Sequence, residues 1–518
     1  MHSSVRDGGE MKSVIQSWQD LDRAALIPAL VVFAVHAVLG ARYDIFRDEL
    51  YFIVCGQHPS FGYVDQPPLV PLIAAALYKL SPAAWFIRLP VALAAGALVW
   101  LAARFCRFLG GDGLSVALAA LAAAIAPMLM GLTSTLNTSA FDPLVWTAIA
   151  YCLVKALREG IESPLRYAGI IAGLALQIKY AVVFWILGLT VGLLLTPERR
   201  LLLRPAFWQG VAMMAVIAVP SFIWQLVHGF PFLELAAAAK TKNAEVALLP
   251  FMSNQALVMN PAFAPLWLGG LCAPLLVKSL KDLRFLVIAA IVVMVIVRLG
   301  HGKDYYLAPL YPTLFVIGAM ALARFWRHGL GKTIAIALAA IAMVFSAVAV
   351  PLTLPVLSPP SLAAYIARTG IAAQQQERSF KGTALPQVFA DQLGWHDFTD
   401  QVEAAWNRIP ASQRSVTVIK VDNYGEAAAL DLYGKGLPPT LSGHNQYYLW
   451  GLRGQHPRDL LVVQESVSDL EPYCGKVTVL GTTSSTYAMG YENGKAIALC
   501  EGVKPPLESL WPLIKNYN

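Results

Sequence analysis

From Leu26 onward the chain alternates long apolar runs with short polar connections. An apolar stretch of about 20 residues is what a helix needs to cross a hydrocarbon layer of about 30 Å. Runs approaching that length lie at 25–41, 84–103, 114–132, 141–157, 165–179, 181–196, 207–227, 262–277, 285–300, 305–323 and 333–355. They predict an α-helical polytopic membrane protein with about 11 transmembrane helices. The first 23 residues are mostly polar and show no small-residue cleavage site, so the first run reads as a signal anchor. The dipeptide Lys179-Tyr180 separates two of the runs and reads as a tight turn.

The pattern changes after residue 355. Pro355, Pro359 and Pro360 read as a stiff linker. Beyond it, RSVTVIKVDN, DLLVVQES and CGKVTVLGTT have the apolar character of strands, and GEAAALDLYG reads as a short helix. The expected organisation is a membrane domain over residues 1–355 and a small soluble α/β domain over residues 356–518. No internal repeat or low-complexity tract interrupts either part.

Composition agrees and excludes a plain cytosolic enzyme. The 518 residues are 57% hydrophobic and 14% charged, against about 25% charged in soluble domains. The net charge of +7 divides unevenly, +9 over residues 1–355 and −2 over 356–518. A basic excess confined to the membrane part is an orientation signal, and nucleic acid is not an expected partner. With the N-terminus inside, the inner connections carry 17 Lys and Arg and the outer ones 9. An odd span count then places residues 356–518 outside. Of the six cysteines, Cys55, Cys106, Cys152 and Cys272 lie in or beside spans without metal-type spacing. Cys474 and Cys500 belong to the exported part, where an oxidising compartment favours a disulfide between them.

The charges that topology does not explain gather on the outer side. The first outer connection holds Arg42, Asp44, Arg47, Asp48, Glu49, His58 and Asp65, with amphipathic pieces (ELYFIVC, LVPLIAAALYKL) suited to the membrane interface. Neighbours on a helix point about 100° apart, so one of Asp48 and Glu49 should face a site while the other makes a structural bond; both could instead simply solvate a loop. Asp142 stands at the lip of a span with no basic neighbour, which requires a partner from elsewhere or a hydrated cleft; Asp142-Pro143 is also a good helix start. The segment RLGHGKDYYLAPLYP brings Arg298, His301, Lys303, Tyr305 and Tyr306 together, which suits either a lipid phosphate or interfacial anchoring. Asn445, Gln446, Tyr447, Tyr448 and Trp450 form a polar and aromatic patch that could stack on a glycan or form the edge of a core.

Taken in order, Asp48-Glu49 with Tyr51, GYVDQPPL at 62–69, FDPL at 141–144, the Lys179-Tyr180 turn and GKDYYLAPLYP at 302–312 resemble the GT-C superfamily of lipid-linked-sugar glycosyltransferases. The resemblance is to the bacterial branch related to protein O-mannosyltransferases and to the aminoarabinose transferases that modify lipid A. It implies a GT-C fold with Asp48 as catalytic base and Asp142 as a second acidic position at the active-site lip. Lys303 and Tyr306 match the lysine and tyrosine that approach the lipid phosphate, with Tyr305 able to take the same role. Asp65 matches a carboxylate that contributes to a metal site in the lipid A branch. Gln66 stands where that branch often has a basic residue, and residues 229–261 supply no histidine as second ligand, which disfavours, without excluding, a divalent metal held by Asp65; no other cofactor is indicated.

The expected activity is inverting transfer of a sugar from a polyprenyl-phosphate donor to an acceptor hydroxyl at the periplasmic face of a bacterial inner membrane. Glu49, Asp65, Asp142, Arg298, Lys303 and Tyr306 form the expected substrate-contacting set around Asp48. The acceptor is a glycolipid, a polysaccharide or a protein. No Gly-rich nucleotide loop is present, which fits a donor without a nucleotide. A transporter or flippase for a lipid-linked anionic substrate is the alternative, but such proteins keep charges near the bilayer midplane and show repeated halves.

Overall fold

A computed structural model describes residues 24–242, 247–323, 329–371 and 383–518. Arg6, Lys12, Arg23, Arg324 and Arg327, counted above among the inner charges, lie outside the described residues.

Each predicted apolar run corresponds to a helix. Among the described residues, five helices are long and apolar enough to cross a membrane: Leu89–Phe108, Thr138–Glu159, Pro205–Val227, Asp304–Leu322 and Gly329–Thr353. Two bent pairs, Val182–Leu194 with Pro197–Leu203 and Leu248–Val258 with Pro261–Leu276, raise the number to 7 if each is one span. Ala24–Leu39, Leu69–Leu80, Gly113–Ile125 and Ser163–Leu176 are apolar but shorter. The run at 114–132 is shortened because Pro127 opens a new helix, Pro127–Leu132, after Ala126 leaves helical geometry.

The chain forms two compact units whose boundaries differ from a cut at residue 355. The first comprises residues 1–40, 88–218 and 246–354; the second comprises 41–87, 219–245 and 355–518. The first outer connection therefore packs with the C-terminal region, because its apolar and polar groups find their partners there.

Within the first unit, small residues let backbones approach, as is usual where lipid supplies no hydrophobic drive between helices. A side chain at Gly318 would meet the Leu266 carbonyl, and one at Gly270 would meet that of Leu314, so Ala264–Leu276 and Tyr311–Leu322 press together reciprocally. Indoles of Trp146 and Trp185 stack with centroids 5.3 Å apart. Buried Asn260 donates to the Ala342 carbonyl at 2.8 Å and to Ser346 Oγ at 2.9 Å. Buried Arg88 donates to the Gly40 carbonyl at 2.9 Å, which satisfies a charge that topology alone left unexplained.

In the second unit the first outer connection folds into two helices, Arg47–Gln57 and Leu69–Leu80, matching its two amphipathic pieces. Of the prolines expected as a linker, Pro359 and Pro360 instead begin a helix, Pro359–Thr369, because proline suits a first turn, and Pro355 lies in the short connection before it. The C-terminal region carries a five-stranded sheet in the order β2-β1-β3-β5-β4. The strands are β1 Thr417–Val421, β2 Leu441–Ser442, β3 Asp459–Gln464, β4 Cys474–Thr482 and β5 Ala496–Val503. β1 is parallel to β2 and β3, whereas β5 runs antiparallel to β3 and β4. The sheet agrees with the small α/β domain read from the sequence. β2 and β5 escaped the reading, one being two residues long and the other broken by Glu501 and Gly502. A disulfide joins Cys474 on β4 to Cys500 on β5.

Candidate functional site

The Asp48-Glu49 pair divides as helix geometry requires. Phe46, in extended conformation, precedes the Arg47–Gln57 helix, and the Glu49 carboxylate turns back to accept the Phe46 N–H at 2.8 Å. Glu49 is wholly buried. It serves as the helix cap, so its assignment to the substrate-contacting set is corrected: a carboxylate closed over its own helix end has no face left for a ligand. Asp48 points elsewhere. Its carboxylate accepts the Tyr424 hydroxyl at 2.8 Å and lies 3.6 Å from Arg47 Nε, with the side chain still 32% exposed. A negative charge in the first turn is also favoured by the helix dipole.

Arg47 holds this end of the helix in place. Its backbone N–H donates to the Asp391 carbonyl at 2.9 Å, its guanidinium lies 3.6 Å from the Asp391 carboxylate and donates to the Tyr491 hydroxyl, and it sits 5.4 Å from the Tyr424 ring centre.

Asp65 occupies the turn before the Pro67-Pro68 pair. It accepts the Tyr51 hydroxyl at 2.9 Å and the Asn445 amide at 3.4 Å. Tyr51 in turn accepts the backbone N–H of Gln446 at 3.1 Å, and its ring lies 4.6 Å from that of Tyr424. Two carboxylates thus flank a pair of phenols. Burial pushes Asp65 up to about 7, and the charge of Asp48 acts in the same direction. A carboxyl raised in the folded state favours folding while protonated, and that advantage is lost as pH rises through about 7. Thermal melting should therefore show wild type losing stability relative to Asp65→Asn between pH 5 and pH 8; a constant difference would contradict the burial of this charge.

In the first unit, Asp142 begins the Asp142–Glu159 helix, with Pro143 in its first turn. Phe141 rather than Asp142 is the cap, and buried Asp142 finds the partner from elsewhere that its position requires: Lys179 Nζ lies 3.7 Å from Asp142 Oδ2. The same ammonium donates to Ser139 Oγ and sits 5.7 Å and 5.1 Å from the ring centres of Tyr305 and Tyr306. Tyr305 and Tyr306 meet edge to face at 4.7 Å. Both phenols therefore belong to one cluster with Lys179 and Asp142. Lys303 immediately precedes the Asp304–Leu310 turn, and Arg298 lies in the last turn of Arg284–Leu299; both are half-buried.

The polar and aromatic patch resolves mainly as core edge. Asn445, Gln446 and Tyr447 are buried, and the Gln446 side chain accepts the Val64 N–H at 3.1 Å. Trp450 packs instead against His58 and Arg453 at the rim.

Asp65 stands without a converging partner set for a divalent metal. Both oxygens of Asp65 are already engaged, and among the described residues no group of three or more His, Cys, Asp or Glu side chains converges.

Lys179 enters the sequence reading only as part of a turn, and Tyr424 falls between an expected strand and an expected helix, so neither has a role there. Lys179 carried a usable signal, since a lone cation between two apolar runs needs a partner. Tyr424 carried none, being 376 positions from Asp48.

Residues 65–224 match the family model described as dolichyl-phosphate-mannose-protein mannosyltransferase. Lipid A galacturonosyltransferase RgtD of Rhizobium johnstonii is 32% identical over 192 residues, 36% of this chain and 39% of that protein's length. The crystal structure of ArnT from Cupriavidus metallidurans bound to undecaprenyl phosphate superposes with a TM-score of 0.56 at 16% identity, covering 93% of this chain and 98% of ArnT. Its apo state gives 0.57. Arabinofuranosyltransferase AftD from Mycobacteria gives 0.51 at 14% identity, over 93% of this chain and 42% of AftD. The family segment carries Asp65, Asp142 and Lys179, and the fold match runs through nearly the whole chain. The sequence likeness to these transferases is thus confined to about a third of the chain, whereas the likeness of fold to ArnT extends over nearly all of it.

Proposed function

We propose that the protein transfers a sugar from a polyprenyl-phosphate donor to an acceptor hydroxyl, at the periplasmic face of a bacterial inner membrane and with residues 356–518 in the periplasm. The observation that carries this reading is Asp48, a carboxylate held at a helix N-terminus by one phenol and still open to a ligand. The acceptor hydroxyl gives its proton to Asp48, and its oxygen attacks the anomeric carbon. The bond from that carbon to the phosphate oxygen breaks, its electron pair leaves with the phosphate, and a single displacement inverts the centre.

Lys303, Tyr306 and Arg298 stabilise the departing phosphate, with Tyr305 able to share the role of Tyr306. Asp142 and Asp65 orient the sugar or the acceptor. The undecaprenyl phosphate bound to ArnT supports the donor class, and the lipid A in the name of RgtD favours a glycolipid acceptor.

Mass spectrometry of glycolipids, polysaccharides and glycoproteins from a deletion strain tests the reading. One glycosyl group should vanish from an acceptor while its prenyl-phosphate donor accumulates. Unchanged acceptors in all three classes would overturn it, and a donor accumulating only on the cytoplasmic side would mark a flippase instead.

A further inference from the structure

We infer that Tyr424 is a positioning residue for Asp48, so that the C-terminal sheet region supplies a working part of the catalytic centre. The inference rests on the reading of Asp48 as general base.

Tyr424 is the first residue of the Tyr424–Tyr433 helix, three residues beyond the end of β1. Asn445 follows β2 by three residues. Both therefore stand outside the carboxyl ends of adjacent parallel strands, the place where open α/β sheets present groups to ligands. Here the two loops present their groups to the carboxylates of the first outer connection: Tyr424 to Asp48 at 2.8 Å and Asn445 to Asp65 at 3.4 Å.

The position of Tyr424 is fixed from several sides. Asn423 Oδ1 accepts the Gly425 and Glu426 N–H groups at 2.9 Å and 3.0 Å, and Glu426 Oε2 returns to the Asp422 N–H at 2.9 Å. Buried Lys495 ties Glu426 to the loop before β5. The Tyr424 ring is held between Tyr51 at 4.6 Å and His444 at 4.8 Å, with the Arg47 guanidinium 5.4 Å from its centre. Asn445 is held in a left-handed backbone conformation (φ 48°) that a residue with a side chain adopts only when its surroundings impose it.

A base must present one lone pair to its proton, and a fixed phenol on the Oδ1 atom leaves Oδ2 of Asp48 for the acceptor. Without the Tyr424 hydroxyl the carboxylate would lose the one side-chain donor that, among the described residues, fixes it. The other charged and titratable groups facing Asp48 are Arg47 on its own helix, Asp65 in the following turn and Asp391 in the loop that holds Arg47.

The test compares full-length Tyr424→Phe with wild type, in membranes supplied with the donor extracted from the deletion strain. Phe keeps the ring contacts and removes only the hydroxyl. The turnover number should fall about tenfold with KM unchanged, and the acidic limb of the pH–rate profile should move to higher pH. Exposed Tyr473→Phe should leave all three as in wild type. Placing 3-fluorotyrosine, a more acidic phenol, at position 424 should move the acidic limb the other way, which keeps a readout if Tyr424→Phe fails to fold. A Tyr424→Phe enzyme with wild-type turnover and profile, or one whose turnover falls without movement of the limb, overturns the inference. Failure of the underlying reading is distinct: there, Asp48→Asn would itself remain active.

Discussion

Asp48→Asn should reduce transfer by between about a hundred-fold and ten-thousand-fold, the range that a positioned general base contributes. The loss should appear in turnover, with donor binding little changed, because the carboxamide keeps the shape of the side chain and removes only its ability to take a proton. Folding should survive for reasons visible in the structure. The Asn oxygen can still accept the Tyr424 hydroxyl, and Arg47 keeps its ion pair with Asp391 and its bond to Tyr491. Glycolipid profiles of a deletion strain complemented with either form, alongside melting of the purified proteins, separate chemistry from stability. A variant that melts like wild type and transfers at a near-normal rate would remove Asp48 from its role. Glu49→Gln should behave differently: the neutral amide oxygen caps the helix more weakly, so the change falls on stability rather than on turnover.

The contrast between these neighbours shows how far the sequence could be read. Periodicity was enough to say that Asp48 and Glu49 diverge, since adjacent helical residues point about 100° apart. Which of them faces a ligand depended on the helix boundary: with Phe46 as the cap, Glu49 falls at the position that closes a capping box, and an Asp-Glu pair in a loop does not announce its cap. Spans were legible because apolar length is a direct physical requirement of the bilayer. Their lengths in the structure were less so, because Pro127 divides one run and bends of 113° and 97° divide two other stretches. The domain boundary failed for a related reason. A composition change at residue 355 marks where long apolar runs stop, but Tyr51, Val64 and Asp65 complete their hydrogen bonding with residues near 445. Pairings across nearly 400 positions leave no local trace in one chain.

Removing the cation beside Asp142 is the second change expected to have a large effect. Asp142 is 4% exposed, and Lys179 is the cation placed against it. Breaking a buried pair by deleting one partner costs about 3–5 kcal/mol, because it strands an uncompensated charge. Lys179→Met should therefore destabilise the protein strongly. Asp142→Asn should cost less, since the ammonium left behind keeps its bond to Ser139 Oγ and its place beside the Tyr305 and Tyr306 rings. Combining the two should recover much of the stability lost by Lys179→Met alone, as coupled neighbours do in a double-mutant cycle. Melting in detergent of the three variants measures the coupling; additive losses would mean that the two side chains are held independently. Activity should not recover with stability. Lys179 spaces the two phenols from Asp142, so the double variant would keep its fold while losing the arrangement to which sugar and phosphate are proposed to bind.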